Sequence, residues 1–209
     1  MNRPICHITH IDNLPSILRE GGLICDRRAE ENGLVKQGIA HDHIKLRRSK
    51  RKILRDPGGN LCDYVPFYFC HHSPMLYAIH RNQVMSYTGG QSSIVYLVSD
   101  TDTIVKTNLP YVFTDGHADM KLSRQFSDVV DLNKLDWDII KATSWSDTDE
   151  DGDRTRRKQA EFLVHDFFPW HCVTEIGVYN ENIASSVAAL IRGNEYLPPV
   201  RMRRAWYYG

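Results

Sequence analysis

Arg157-Lys158-Gln159-Ala160-Glu161-Phe162-Leu163-Val164, running on to Phe167-Phe168-Pro169-Trp170, is the stretch that decides how this chain is read. A polar, highly charged loop over residues 145–157 ends here, and the sequence turns apolar just after Glu161. Phe162, Leu163 and Val164 suit a strand or the start of a buried segment. Glu161 then stands where a flexible loop meets the core, a place from which a rigid element can present a catalytic carboxylate. The plain alternative is a last solvated residue before a strand, because boundary carboxylates are common. The rest of the chain has to separate the two.

Upstream, residues 115–157 form a long polar region with a helix expected around residues 132–140 and few other core signals. Long irregular segments in compact domains are uncommon and usually functional. Downstream, residues 173–179 read as a strand, 181–192 as an amphipathic helix carrying Ile183, Val187, Leu190 and Ile191, and 200–208 as a final strand. Residues 93–99, with Ile94 to Val98, form a buried strand, and residues 111–114 a short one. Residues 64–69 read as a strand that Pro66 assigns to an edge or an entry position. Ser73-Pro74 caps and starts a helix containing Met75, Leu76, Ala78 and Ile79.

At the other end, residues 4–9 read as a strand and residues 13–20 as a helix. Asp12 or Asn13 can cap that helix, Pro15 fits its first turn and Gly21-Gly22 stop it. Residues 23–25 form a possible second strand. Residues 27–60 show no clear core pattern, but seven of the eleven residues in 45–55 are basic. That segment is either a solvated helical face or a phosphate-binding element. Asp56-Pro57-Gly58-Gly59-Asn60 then turns the chain. The order is mixed α+β without the strict alternation of a doubly wound sheet. With 209 residues, no repeat and no linker, residues 1–209 are expected to form a single domain.

Composition narrows the class. The 26 basic and 26 acidic residues cancel, so only local patches bear on a nucleic-acid partner. The N-terminus lacks the apolar core of a signal peptide, and no run approaches the ~20 apolar residues of a membrane span. Five cysteines, odd in number and without a C-x-x-C pair, point to reduced thiols in a cytoplasmic protein. No histidine or cysteine group (His7 with His10, Cys70-His71-His72, His171-Cys172) has zinc spacing, and no metal is expected. On a strand, His7 and Thr9 point to one side, and the Cys6–Asn13 segment gathers polar groups at the strand's end.

Four collinear motifs carry a resemblance. They are Cys6-His7-Ile8-Thr9-His10-Ile11-Asp12-Asn13-Leu14-Pro15-Ser16-Ile17-Leu18, Asp63-Tyr64-Val65-Pro66-Phe67-Tyr68-Phe69, Ser73-Pro74-Met75-Leu76-Tyr77-Ala78-Ile79, and Lys158-Gln159-Ala160-Glu161-Phe162-Leu163-Val164. Together they resemble the DarT family of bacterial toxins that ADP-ribosylate DNA, over almost the whole chain. The resemblance implies an α+β, ADP-ribosyltransferase-like fold: a split mixed β-sheet core with flanking helices and a long substrate loop. It implies transfer of ADP-ribose from NAD to a base of single-stranded DNA, usually thymine and in one branch guanine, with release of nicotinamide. His7, Ile8, Thr9, Ser16, Ile24 and Arg48 would contact NAD, and Arg48 and Glu161 would be catalytic. Residues 28–49 would cover NAD, and residues 115–160 would recognise DNA and deliver Glu161. A macrodomain antitoxin of the DarG type would be the partner of a monomeric toxin.

Two points stay open in sequence. Arg47, Arg48 and Arg51 compete for the arginine position. Asp147, Asp149, Glu150, Asp151 and Asp153 are odd company for a phosphate backbone. A carboxylate at 161 suits the chemistry independently, because cleaving the nicotinamide–ribose bond builds positive charge on the sugar. Arg48 could clamp a pyrophosphate or assist proton removal from the base, although arginine is a poor base. Unstacked bases favour single strands, and Tyr68, Phe69 or Trp145 could stack nicotinamide or a base, with core packing the plainer role for each. The alternatives are a non-catalytic nucleic-acid-binding module on the same fold, or a transferase acting on protein or RNA.

Overall fold

The computed structural model describes residues 2–39 and 42–209. In chain order the elements are β1 (Pro4–His10), α1 (Leu14–Arg19), β2 (Gly22–Ile24), α2 (Asp26–Glu31), α3 (Asp42–Lys50), β3 (Tyr64–Tyr68), α4 (Pro74–His80) and β4 (Ile94–Asp100). They continue with α5 (Thr101–Lys106), β5 (Tyr111–Thr114), β6 (Gln125–Phe126), α6 (Trp137–Lys141), α7 (Arg154–Lys158), β7 (Glu161–His165), β8 (Phe167–Pro169), β9 (Glu175–Val178), α8 (Glu181–Ile191) and β10 (Val200–Met202). Among the described residues, eight strands form one sheet in the order β10-β9-β4-β1-β3-β7-β5-β6, and β2 pairs with β8 beside it. Only β9 and β10 run parallel, so the sheet is mixed.

The sheet divides in the middle. β1 follows β4 through a full register from Pro4↔Asp100 to His10↔Ile94, and β3 follows β7 from Tyr64↔His165 to Tyr68↔Glu161. Between them, β1 and β3 share the single register pair Cys6↔Tyr68. This is the split core, and it corrects the reading of Pro66 as an edge residue. β3 is an interior strand, but Pro66 stands where β1 has already diverged, so the N–H that proline lacks has no ladder partner to serve. Its carbonyl instead accepts the His7 ring N–H at 2.8 Å.

The strands read as continuous apolar runs because both faces are covered. On β4, Val95 and Leu97 join the core with Ile5, Phe67, Phe162, Val187 and Ile191, while Ile94 and Tyr96 join Leu76, Ile79 and Tyr207 on the other side. On β7, Phe162 and Val164 enter the first core, and Leu163 packs with Ile53, Leu61, Tyr64, Val112 and Ala118. Alternation therefore places Glu161 on the Leu163 face, next to Ala118.

Several local readings change. The span 132–140 is a 3-10 turn (Val129–Lys134) followed by α6, because Asp136 caps α6 by accepting from Ile139 N–H at 3.1 Å. Residues 115–157 also hold more core than expected: Phe126, Leu132, Leu135 and Ile140 are buried. The final strand stops at Met202 and becomes a 3-10 turn (Arg204–Trp206), which lays the Trp206 ring over Gly177, where a Cβ would meet it at 2.5 Å. Gly21, at φ +74°, ends α1 as expected. Asn13 does not cap that helix with its side chain. No helix of the described residues is long and apolar enough to cross a membrane, and all five cysteines are free.

Candidate active site

Glu161 is the first residue of β7 and is 2% exposed; Arg48, near the end of α3, is 7% exposed. Arg48 Nη1 donates to Glu161 Oε2 at 2.9 Å, and Ala118 N–H donates to Glu161 Oε1 at 2.9 Å. Burial pushes the Glu161 carboxyl up, but the charge of Arg48 and the Ala118 N–H outweigh it and hold the group below the usual carboxylate range. Burial likewise opposes the Arg48 charge, yet Glu161 and then Asp26 hold the guanidinium more firmly protonated than a free arginine. The site thus contains a paired, ionised carboxylate and a fixed cation.

The three arginines left open by sequence separate here. Arg47 turns outward to Asp119, and Arg51 Nη2 donates to the Met120 carbonyl at 3.2 Å; Arg48 is the one that meets Glu161. This also explains why residues 42–50 carry no apolar stripe: the helix buries an arginine. Arg48 Nη2 is buried and has no hydrogen-bond partner among the described residues. An unmatched buried donor beside a cavity is the feature that a negatively charged or carbonyl-bearing ligand would satisfy.

That cavity, of about 370 Å³, opens where β1 and β3 part. His7, Ile8, Thr9, Ser16, Ile24, Arg48 and Glu161 all line it. A carbonyl can only accept, so the Nδ1 that meets Pro66 O carries the His7 proton and Nε2 keeps its lone pair. Burial lowers the His7 pKa, which keeps the ring neutral. From the span 28–49, Leu34, Val35, Gln37, Gly38 and Ile39 wall the cavity on the side of α1. Ala40 and His41 of that span lie outside the described residues, as does Met1.

Three contributors, His117, Gln159 and Lys158, are not singled out by the sequence, whereas Tyr68, read there as able to stack nicotinamide or a base, does line the cavity. His117 lines the cavity and is held neutral by burial. Tyr68 is the register partner of Glu161, and burial followed by the Glu161 charge raises its pKa. Gln159 lines the cavity two residues before Glu161. Lys158, 1% exposed, donates Nζ to the carbonyls of Ile140 at 2.8 Å and Ala142 at 2.7 Å, which pins the segment before Glu161 to the end of α6. Phe69, by contrast, is core, packed edge-on to Phe113, Phe162 and Trp137, and Trp145 stands edge-on to Tyr77 and does not itself line the cavity.

The acidic segment also finds its partners. Asp151 and Asp136 pair with Arg157, Asp153 with Arg156 and Arg157, and Asp147 accepts from Thr155 N–H. Asp151 and Asp153 thus neutralise charge on α7, and Asp147 meets a backbone N–H of the same helix. Among the described residues no three His, Cys, Asp or Glu side chains are grouped to hold a metal ion.

Comparison with known proteins places this geometry. A family model described as "ssDNA thymidine ADP-ribosyltransferase, DarT" matches residues 6–208. The DNA ADP-ribosyl transferase of Thermus sp. strain 2.9 is 43% identical over 98% of this chain and 96% of its own. The structure of that protein with ADP-ribosylated single-stranded DNA superposes with a TM-score of 0.92, at 42% identity, over 98% of this chain and 96% of the other. Its structure with NAD+ gives 0.88 at 40% identity, over 98% and 97%. A fusion of a DNA ADP-ribosyl transferase with a DNA ADP-ribosyl glycohydrolase, from Thermosipho africanus, is 26% identical over 95% of this chain and 48% of the fusion. The match over nearly all of the sequence, together with the superposition, establishes that the chain belongs to the DarT family of NAD-dependent DNA ADP-ribosyltransferases.

Proposed function

We propose that this protein transfers ADP-ribose from NAD to thymine in single-stranded DNA, releases nicotinamide, and acts as a cytoplasmic toxin. The observation that carries the chemistry is the buried Glu161, held ionised by Arg48 and Ala118 N–H at the end of a cavity that His7 and Thr9 also line. The thymine assignment is supported by the description of the matching family model.

NAD, when bound, supplies the ADP-ribosyl group and nicotinamide as leaving group. His7 and Thr9 face its nicotinamide-ribose end, with Ile8, Ser16 and Ile24 completing the wall. Glu161 accepts a ribose hydroxyl hydrogen and stabilises the positive charge that develops on the sugar. Its second role is to hold Arg48, whose spare buried Nη2 is available to a phosphate or a base carbonyl. Arg48 acts as a fixed cation: its surroundings strengthen its charge, which opposes a role in proton abstraction. His117 accepts Asp119 N–H at Nδ1, at 3.3 Å, so its other ring nitrogen carries hydrogen and suits a carbonyl oxygen of the acceptor base. Residues 115–160 form the acceptor side, with Lys158 anchoring the chain that delivers Glu161. The fusion of transferase and glycohydrolase in one relative supports a DarG-type macrodomain partner that reverses the modification.

Mass spectrometry of oligonucleotides incubated with protein and NAD tests this reading. A thymine-rich single strand is expected to gain one ADP-ribose, a duplex none, and Glu161→Ala none on either. An adduct confined to a guanine-rich strand would move the acceptor base. NAD turnover with no DNA adduct would move the acceptor to protein or RNA, and no turnover from folded protein would leave only a nucleic-acid-binding module. Growth arrest on expression, abolished by Glu161→Ala, tests the toxin role.

A further inference from the structure

Asn13 ends the 3-10 turn that follows β1, and its buried carboxamide has its hydrogen-bonding capacity fully used. Nδ2 donates to Thr9 Oγ1 at 3.1 Å and to the Gln37 carbonyl at 2.9 Å. Oδ1 accepts the N–H groups of Lys36 at 3.0 Å and Gln37 at 2.9 Å. A residue that sequence places as a helix cap therefore ties β1 to a segment more than twenty positions away. Thr9 and Gln37 both line the cavity. The Ser16 hydroxyl sits within hydrogen-bonding distance of the Leu34 carbonyl, 2.9 Å, a weaker second tie between the start of α1 and the same segment.

We propose that Asn13 is a positioning residue for the NAD donor: it holds residues 36–37 against the cavity and sets the direction of the Thr9 hydroxyl. The inference rests on the NAD reading above. Because Thr9 Oγ1 accepts from Asn13, the hydroxyl's own hydrogen is left to donate, and Thr9 presents a donor to the cavity. Among the described residues no other side chain makes these four hydrogen bonds to β1 and the 36–37 segment. Aspartate keeps the two acceptor positions but has no donor for Thr9 and sets a carboxylate against the Gln37 carbonyl. Alanine releases the segment altogether. Neither change touches Glu161 or Arg48, so the loss falls on donor binding, not on the chemical step.

Steady-state kinetics with single-stranded oligonucleotide as acceptor separate these roles. Asn13→Ala is expected to raise KM for NAD about tenfold, with kcat within about twofold and KM for the oligonucleotide unchanged. Asn13→Asp is expected to raise KM for NAD as well, and Ser16→Ala to raise it by less than either. A folded Asn13→Ala with wild-type KM for NAD, or one that loses kcat alone, overturns the proposal while leaving the transferase reading intact. Wild-type protein that neither binds nor consumes NAD overturns both. Should Asn13→Ala not fold, amide exchange of the wild type decides. The Lys36 and Gln37 N–H groups are expected to exchange more slowly than those of Val35 and Gly38, and equal rates overturn the proposal.

Discussion

Two arginine–carboxylate clusters, one around Arg156 and Arg157 and one joining Arg48 to Glu161, behave differently. In the segment 147–157, every guanidinium nitrogen of Arg156 is engaged: Nε and Nη2 meet Asp153 at 2.7 Å each, and Nη1 meets Asp115 at 3.0 Å and Ser123 Oγ at 3.2 Å. Arg157 is likewise shared among Asp136, Asp151 and Asp153. The Arg48–Glu161 pair is more deeply buried, yet Arg48 Nη2 is unmatched among the described residues. A cluster whose guanidinium nitrogens are all engaged organises a loop. A buried pair with unused valence costs stability and is kept where a ligand completes it. Density of charge in the sequence marks the first kind and says little about the second.

If that contrast is right, the largest effect comes from removing the carboxylate of the Arg48–Glu161 pair. Glu161→Gln is expected to lower the rate of ADP-ribose transfer by about 10³-fold, measured by adduct formation under saturating NAD, while circular dichroism stays native. Arg48→Met is expected to destabilise the fold by about 3 kcal/mol, because it leaves a buried carboxylate unpaired. Arg48→Met combined with Glu161→Leu should recover most of that loss in denaturant unfolding without recovering activity. A double variant as unstable as the single one would break the contrast.

The pH dependence of stability sharpens it. Burial first, then the neighbouring His72, brings the His71 pKa down to about 4 from 6.5, and the ring stacks on Trp206 at 3.8 Å. His7 and His117 are lowered too, by burial. For a depressed histidine the unfolded chain binds the proton more readily. The stabilising contribution is therefore complete above pH 6.5 and is lost as pH falls toward 4. The melting temperature is expected to be level from pH 7 to 8 and to drop between 6.5 and 4. His71→Phe should flatten part of that slope. Glu161, whose pKa is lowered, loses its own contribution only below about pH 4.5, as the carboxylate protonates.

The smallest effect belongs to the Arg156 and Arg157 cluster. Arg157→Ala is expected to cost about 1 kcal/mol, since its pairs are partly exposed. It should weaken turnover on DNA while leaving NAD affinity unchanged, measurable by titration calorimetry. A change in NAD affinity would mean that the loop reaches the donor cavity.

Much of this was legible in sequence. The Glu161 boundary, the strands read at 93–99 (found at Ile94–Asp100) and 111–114, the Ser73-Pro74 helix start and the His7–Thr9 face all follow from periodicity and capping. What periodicity could not reach has a common cause: each feature depends on a polar partner distant in sequence. Pro66 reads as an edge because a proline spoils a ladder, and only the opening of the sheet beside β1 shows why an interior strand tolerates it. Asn13, like Asp12, reads as a cap because it precedes a helix with Pro15 in its first turn, whereas its side-chain partners are Thr9, Lys36 and Gln37. Lys158 reads as one more surface cation until the end of α6 is brought over it. Among Arg47, Arg48 and Arg51, spacing alone gives no preference, and the face of α3 that meets β7 decides.

The proposed division of labour gives Glu161 the reaction step and gives His7, Thr9 and their neighbours the hold on NAD. The most direct test measures NAD affinity and single-turnover nicotinamide release side by side, with single-stranded DNA present, for wild type and Glu161→Gln. The prediction is an affinity within about threefold of wild type and nicotinamide release slowed by about 10³-fold. An affinity lost by a similar factor, with wild-type release from the fraction that still binds, would contradict it.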